Sequence, residues 1–102
     1  MPQIPPPNTR VNTGLTRTLT ICNAKGLHAR ASARFVETVE SFNATATVRR
    51  DGQTVAGDSI MGLLLLAAAQ GTTIEVTVDG PDADALMLAL DTLITDCFGE
   101  GC

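Results

Sequence analysis

Tryptophan and tyrosine are absent from this 102-residue chain, and its aromatic residues are Phe35, Phe42 and Phe98 alone. Base-stacking platforms for single-stranded nucleic acid are therefore not expected, and the core has to be built from Leu, Val, Ile and Ala. Histidine occurs once, at His28, and cysteine three times, at Cys22, Cys97 and Cys102. An odd cysteine count without paired ligand spacing, beside a lone histidine, does not make a zinc site. Reduced thiols fit best. Basic residues are missing from the whole second half: residues 51–102 hold nine acids and carry −9, whereas residues 1–50 carry +5. If strands from the two halves interleave, the charges neutralise each other across the fold. The alternative gathers positive charge around Lys25, Arg30 and Arg34. The start of the chain lacks the charged and apolar stretches of a secretory signal, and the longest apolar run, Ile60 to Ala69, is too short to span a bilayer. A cytoplasmic protein of one domain follows, with neither nucleic acid nor membrane as partner.

Four of the five prolines fall in the first seven residues, and no apolar period runs through residues 1–14. This segment is expected to be a disordered Pro-rich tail, with residues 15–102 forming the folded domain. Leu19 and Ile21 alternate with Thr18 and Thr20 as a first strand, and Asn23-Ala24-Lys25-Gly26 is a turn. From His28 to Phe42 the residues Phe35, Val36, Val39 and Phe42 make one helical stripe, opposite Arg30, Arg34, Glu37 and Ser41. Ala44, Ala46 and Val48 alternate with polar partners up to Asp51-Gly52, a tight hairpin turn returning along Gln53 to Gly57. Asp58-Ser59 signals a helix start ahead of Ile60 to Ala69, with Gly71 as its stop. Ile74, Val76 and Val78 mark a fourth strand. Gly80-Pro81-Asp82 opens a last helix with Pro at its first position, buried along Leu86, Leu90, Leu93, Ile94 and Cys97. The order β-α-β-β-α-β-α predicts a two-layer α+β fold in which helices cover one face of a four-stranded antiparallel sheet.

His28 sits in Gly26-Leu27-His28-Ala29-Arg30, where a glycine-bearing loop meets a helix start. Such a terminus offers unpaired N–H groups and a positive dipole end to an anion such as a phosphoryl group. The same positive end favours the neutral imidazole, whose free nitrogen can act as a nucleophile. The competing reading is an idle surface histidine. Ser59, at the start of the second helix, reads as a helix cap. Ile60, Met61 and Leu64 belong to a helix apolar nearly all round, so part of it must lie outside the core. Met61 and Leu64 are the expected exposed positions, whereas Leu63, Leu65, Leu66 and Ala67 read as core.

Gly26-Leu27-His28-Ala29-Arg30-Ala31-Ser32, followed about thirty residues later by Ser59-Ile60-Met61-Gly62 within this element order, resembles the histidine-containing phosphocarrier (HPr) family of the bacterial phosphotransferase system. The resemblance spans Leu15 to Phe98. It implies an open-faced two-layer β-sandwich with strand order 1-4-2-3, and a monomer that needs no cofactor or metal. By this resemblance His28 would accept a phosphoryl group on Nδ1 from enzyme I and pass it to a IIA-type protein. Arg30 would neutralise phosphoryl charge, with the N–H groups near Ala29 and Arg30 holding its oxygens. Ser59 maps to the residue modified by an HPr kinase/phosphorylase in some members. Ile60, Met61 and Leu64 map to the face that docks partners. Ala31-Ser32 in place of Pro-Ala, and Asp58 where a base often precedes the serine, are closer to the nitrogen-related or regulatory branch.

Three functions compete. The first is a stoichiometric phosphoryl carrier, rather than a turnover enzyme, acting through His28. The second is a regulatory binding module switched by phosphorylation at His28 or Ser59. The third is a ligand-binding domain unrelated to phosphate. No paired carboxylates, hydrolase triad or nucleotide loop point to a turnover enzyme. The pairing of His28 with Arg30 favours the carrier.

Overall fold

A computed structural model describes residues 14–100; the proline-rich segment 1–13 lies outside the described residues. Four strands, β1 (Leu15–Thr20), β2 (Thr45–Arg50), β3 (Gln53–Ala56) and β4 (Thr73–Asp79), form one sheet in the order β1-β4-β2-β3. Every pairing is antiparallel, and the register sets Leu19 beside Ile74, Val48 beside Val76 and Ala46 beside Val78. These apolar side chains are buried beneath the helices α1 (Ala29–Glu40), α2 (Ile60–Leu65) and α3 (Ala83–Thr95). The other face is polar: Thr16 and Thr77 share a hydroxyl hydrogen bond of 2.8 Å, and Arg49 pairs with Glu75 at 3.6 Å. The alternation read from sequence is thus the alternation of a sheet with one face covered.

Local chemistry sets the corners. Asp51 and Gly52 both take left-handed backbone, at φ 51° and 79°, the conformation a two-residue hairpin requires. Helix α1 buries Ala31, Ser32, Phe35, Val36 and Val39. Helix α3 buries Ala83, Leu86, Met87, Leu90 and Ile94.

Several expectations need correction. Helix α2 ends at Leu65 rather than Ala69. Ala67 turns left-handed at φ 50°, which frees the Ala68 carbonyl to accept the Leu27 N–H at 2.9 Å. Tertiary pairing with the loop before α1 therefore wins over helix propagation. The same shortening leaves Leu65 and Ala67 exposed, while Leu63 and Leu66 are buried as anticipated. At α3, Pro81 precedes the helix instead of opening it. Asp82 is the cap residue, but its carboxylate accepts the Asn43 N–H at 2.8 Å and ties two loops together. After α3 the chain forms a short 3-10 turn, Cys97–Gly99, in which Cys97 and Phe98 are left-handed. This reversal takes Cys97 off the α3 stripe, buries Phe98 and returns the chain toward the start of α1. It brings Cys97 Sγ to 3.0 Å from Cys22 Sγ. Among the described residues no helix is long and apolar enough to cross a membrane.

Candidate functional site

The segment from Asn23 to His28 is held by close approach rather than by bulk. Gly26 has φ 64°, and a β-carbon there would stand 2.4 Å from the Ala68 carbonyl oxygen. Only glycine satisfies both demands. Leu27 is buried beside it, and its carbonyl accepts the hydroxyl of the buried Ser32 at 3.3 Å. These contacts fix the entry to α1, with His28 as the N-cap residue in extended conformation.

His28 takes the place a Ser or Asp usually fills at a helix start. Its Nδ1 accepts the Arg30 N–H at 3.2 Å, and its carbonyl accepts the Ser32 N–H at 2.8 Å. On the other side of the ring, Nε2 lies 2.5 Å from Glu100 Oε2. A backbone N–H can only donate and an ionised carboxylate can only accept, so the ring is assigned its proton on Nε2 and its lone pair on Nδ1. That lone pair faces the first turn of α1, where unpaired N–H groups and the positive helix end are found.

Glu100 is in turn held by Asn23, which is fully buried. The Asn23 amide nitrogen donates to Gly26 O at 2.9 Å and to Glu100 Oε1 at 2.9 Å. The Glu100 carboxyl lies below its ordinary value. The hydrogen bond from Asn23 is the main cause, and burial opposes it. The hydrogen bond and charge of His28 and the charge of Lys25 add to the lowering.

Arg17, Arg49 and Arg50 pair with Asp91, Glu75 and Asp51. Neutralisation across the fold holds for Arg17 and Arg49, whereas Arg50 pairs with its neighbour in the chain. Among the described residues Lys25, Arg30 and Arg34 make no ion pair within 4.0 Å, and all three are exposed. Lys25 acts on Glu100, and Arg34 Nη1 stands 3.6 Å from where a β-carbon on Gly99 would be. Unpaired positive charge thus lies around the histidine.

Ser59 lies at the start of α2, where its hydroxyl accepts the Gly62 N–H at 2.9 Å; among the described residues no hydrogen bond joins it to His28. Met61 is 69% exposed, Ile60 is exposed at its margin and Leu64 is half-buried. Leu65, at 64%, extends this apolar patch. The structure therefore joins His28, Ala29 and the Arg30 backbone at one point, and leaves Ser59 with the neighbouring helix. Asn23, Glu100 and Leu65 were not among the residues picked from sequence. An Asn ahead of a Gly turn was a weak signal for the first, whereas Glu100 meets its partners across more than seventy residues and gave none.

Comparison with known proteins gives a consistent result. A family model described as the PTS HPr component phosphorylation site matches residues 15–96. The phosphocarrier protein HPr of Neisseria meningitidis is 47% identical over 87 residues, 85% of this chain and 98% of the relative. A phosphocarrier protein NPr of Shewanella violacea is 38% identical over 88 residues, 86% and 97% of the two chains. Among solved structures, HPr from Thermoanaerobacter tengcongensis superposes with a TM-score of 0.82 at 36% identity, covering 86% of this chain and 99% of that one.

Proposed function

Since this chain belongs to the HPr family and is a phosphocarrier of the phosphotransferase system, we propose that His28 is the residue that carries the phosphoryl group, on Nδ1. The observation that bears most weight is the ring's placement: its assigned lone pair points at the N-terminus of α1, against the Arg30 N–H. The donor would be phosphorylated enzyme I and the acceptor a IIA-type protein. In the forward step the Nδ1 lone pair forms the N–P bond while the bond from phosphorus to the donor atom breaks, its electron pair leaving with the donor. The ring keeps its proton on Nε2. As Nδ1 is engaged, the Arg30 N–H loses its ring acceptor and becomes available to a phosphoryl oxygen, with the Ala29 N–H beside it. The side chain of Arg30, exposed and without an ion pair among the described residues, is free to swing onto the incoming charge. Chemistry of this kind needs positioning and charge stabilisation more than covalent help from the protein.

Ile60, Met61 and Leu64, extended by Leu65, form the proposed docking face for enzyme I and the IIA-type acceptor. Ser59 is the proposed target of an HPr kinase/phosphorylase. A phosphate there would add negative charge beside that face, at a helix start that tolerates it. We assign the relay to the cytoplasm and the working form to the monomer, with no nucleic acid or membrane partner.

The test is incubation with enzyme I and phosphoenolpyruvate followed by intact mass measurement. The wild-type chain should gain one acid-labile phosphoryl group, and His28→Ala should gain none while keeping its circular-dichroism spectrum. A folded His28→Ala that is still phosphorylated would remove His28 from the mechanism.

A further inference from the structure

The carboxylate at Glu100 has no part in the step just described, yet it meets the nitrogen of His28 that faces away from the phosphoryl group. We infer that Glu100, oriented by Asn23, is a positioning residue for phosphoryl transfer: it holds the His28 proton on Nε2 and keeps the Nδ1 lone pair on the reacting side. The inference rests on His28 as the carrier and deepens that reading.

The chain of contacts runs from the site loop through a buried amide to the ring. Asn23 could present either its oxygen or its nitrogen to its neighbours. Both neighbours, Gly26 O and Glu100 Oε1, are acceptors, so the amide nitrogen must face them. The amide oxygen is consequently left buried without a partner among the described residues. An unsatisfied buried acceptor is an unfavourable arrangement, and what accompanies it here is a carboxylate held by one oxygen and aimed at His28 by the other. The C-terminal turn contributes a second constraint. Two consecutive non-glycine residues, Cys97 and Phe98, are left-handed there, a conformation that costs energy unless the surroundings impose it. Phe98 is buried by this turn, and the Glu100 N–H bonds Cys97 O at 2.9 Å. Glu100 is thus delivered to the ring by fixed backbone.

A carboxylate on the far nitrogen does two things for an imidazole that attacks through the near one. It selects the tautomer and orientation, and it stabilises the positive charge the ring acquires on bonding. In phosphoryl transfer the N–P bond forms at Nδ1, the donor bond breaks with its electron pair leaving on the donor, and the ring becomes formally cationic. Its Nε2–H remains directed at Glu100 throughout, so no proton has to leave the site. The negative carboxylate acts on the ring from the side away from the phosphoryl oxygens. Lys25, which acts on Glu100, and Arg34, close to Gly99, limit its repulsion of the incoming group.

The experiment compares the full wild-type chain with Glu100→Ala, with both proteins ¹⁵N-labelled. Proton and nitrogen spectra at a pH where the ring is neutral should show a solvent-protected Nε2–H proton in the wild type, lost in the variant. In single-turnover reactions with phosphorylated enzyme I, the limiting rate should fall roughly tenfold. The enzyme I concentration giving half that rate should not move. Should Glu100→Ala lose its native amide spectrum, Glu100→Gln decides in its place, because its amide sets an NH2 donor where one carboxylate oxygen accepted from Asn23 or from His28. Its rate should fall in the same direction. A protected proton and an undiminished rate in a folded variant would overturn the role of Glu100 alone. A wild-type chain that accepts no phosphoryl group on His28 would overturn the carrier assignment and this inference with it.

Discussion

At the scale of single residues, His28 does the work of a helix cap and of a candidate nucleophile with the same ring. Nδ1 satisfies the Arg30 N–H, and Nε2 is tied to Glu100, so the ring cannot rotate without breaking a bond on each side. The Glu100 carboxyl is easier to ionise in the folded chain than at its ordinary value of 4.5. Folding therefore favours the ionised form, and the stabilisation is fully present above the unfolded value. It is lost as pH falls through 4.5 and on through the lower folded value. Urea denaturation of wild type and Glu100→Gln should show a stability difference at neutral pH that closes progressively on acidification. A gap that stays constant with pH would separate Glu100 from this linkage. His28 and Arg30 were legible in the sequence because their relation is local, two residues apart at a helix start. Asn23 and Glu100 were not, because nothing in either's own neighbourhood requires the other.

At the scale of elements, periodicity and turn chemistry carried most of the reading. The Asp51-Gly52 turn is set by its own backbone preferences, and the strands by alternation, so both survive in the folded chain. Helix α2 shows where local reading stops. Ile60 to Ala69 has the composition of a helix of ten residues, yet it is cut at Leu65 because the Ala68 carbonyl pairs with Leu27. That exchange couples α2 to the loop carrying His28. Ser59 anchors the opposite end of this short helix through Gly62. Ser59→Ala should lower stability by about 1 kcal/mol, the ordinary worth of such a cap, read as a lower urea midpoint. An unchanged midpoint would show that α2 is held by its packing alone.

At the scale of the whole molecule, the sheet order β1-β4-β2-β3 sets the candidate phosphoryl site and the proposed docking face side by side. It packs α2 against α1, so the exposed side chains of Ile60, Met61 and Leu65 neighbour the helix that His28 begins. Met61→Glu places a charge on the most exposed of these and should weaken enzyme I binding at least tenfold by titration calorimetry, since central apolar anchors carry a large share of binding energy. Unchanged affinity would move the docking face elsewhere. The charge split between the two halves is partly resolved by the same topology: β2 and β4 neighbour each other, so Arg49 meets Glu75, while β1 lies under α3 and Arg17 meets Asp91. Sequence by itself determined the element order, the covered face of the sheet, the glycine-bearing entry to α1 and the family, because each rests on short-range pattern and backbone chemistry. Tertiary structure alone decided where α2 ends, which of its leucines meet solvent, and that a glutamate from the far end of the chain closes on His28. Those outcomes depend on contacts between segments that only folding brings together, and no local preference encodes them.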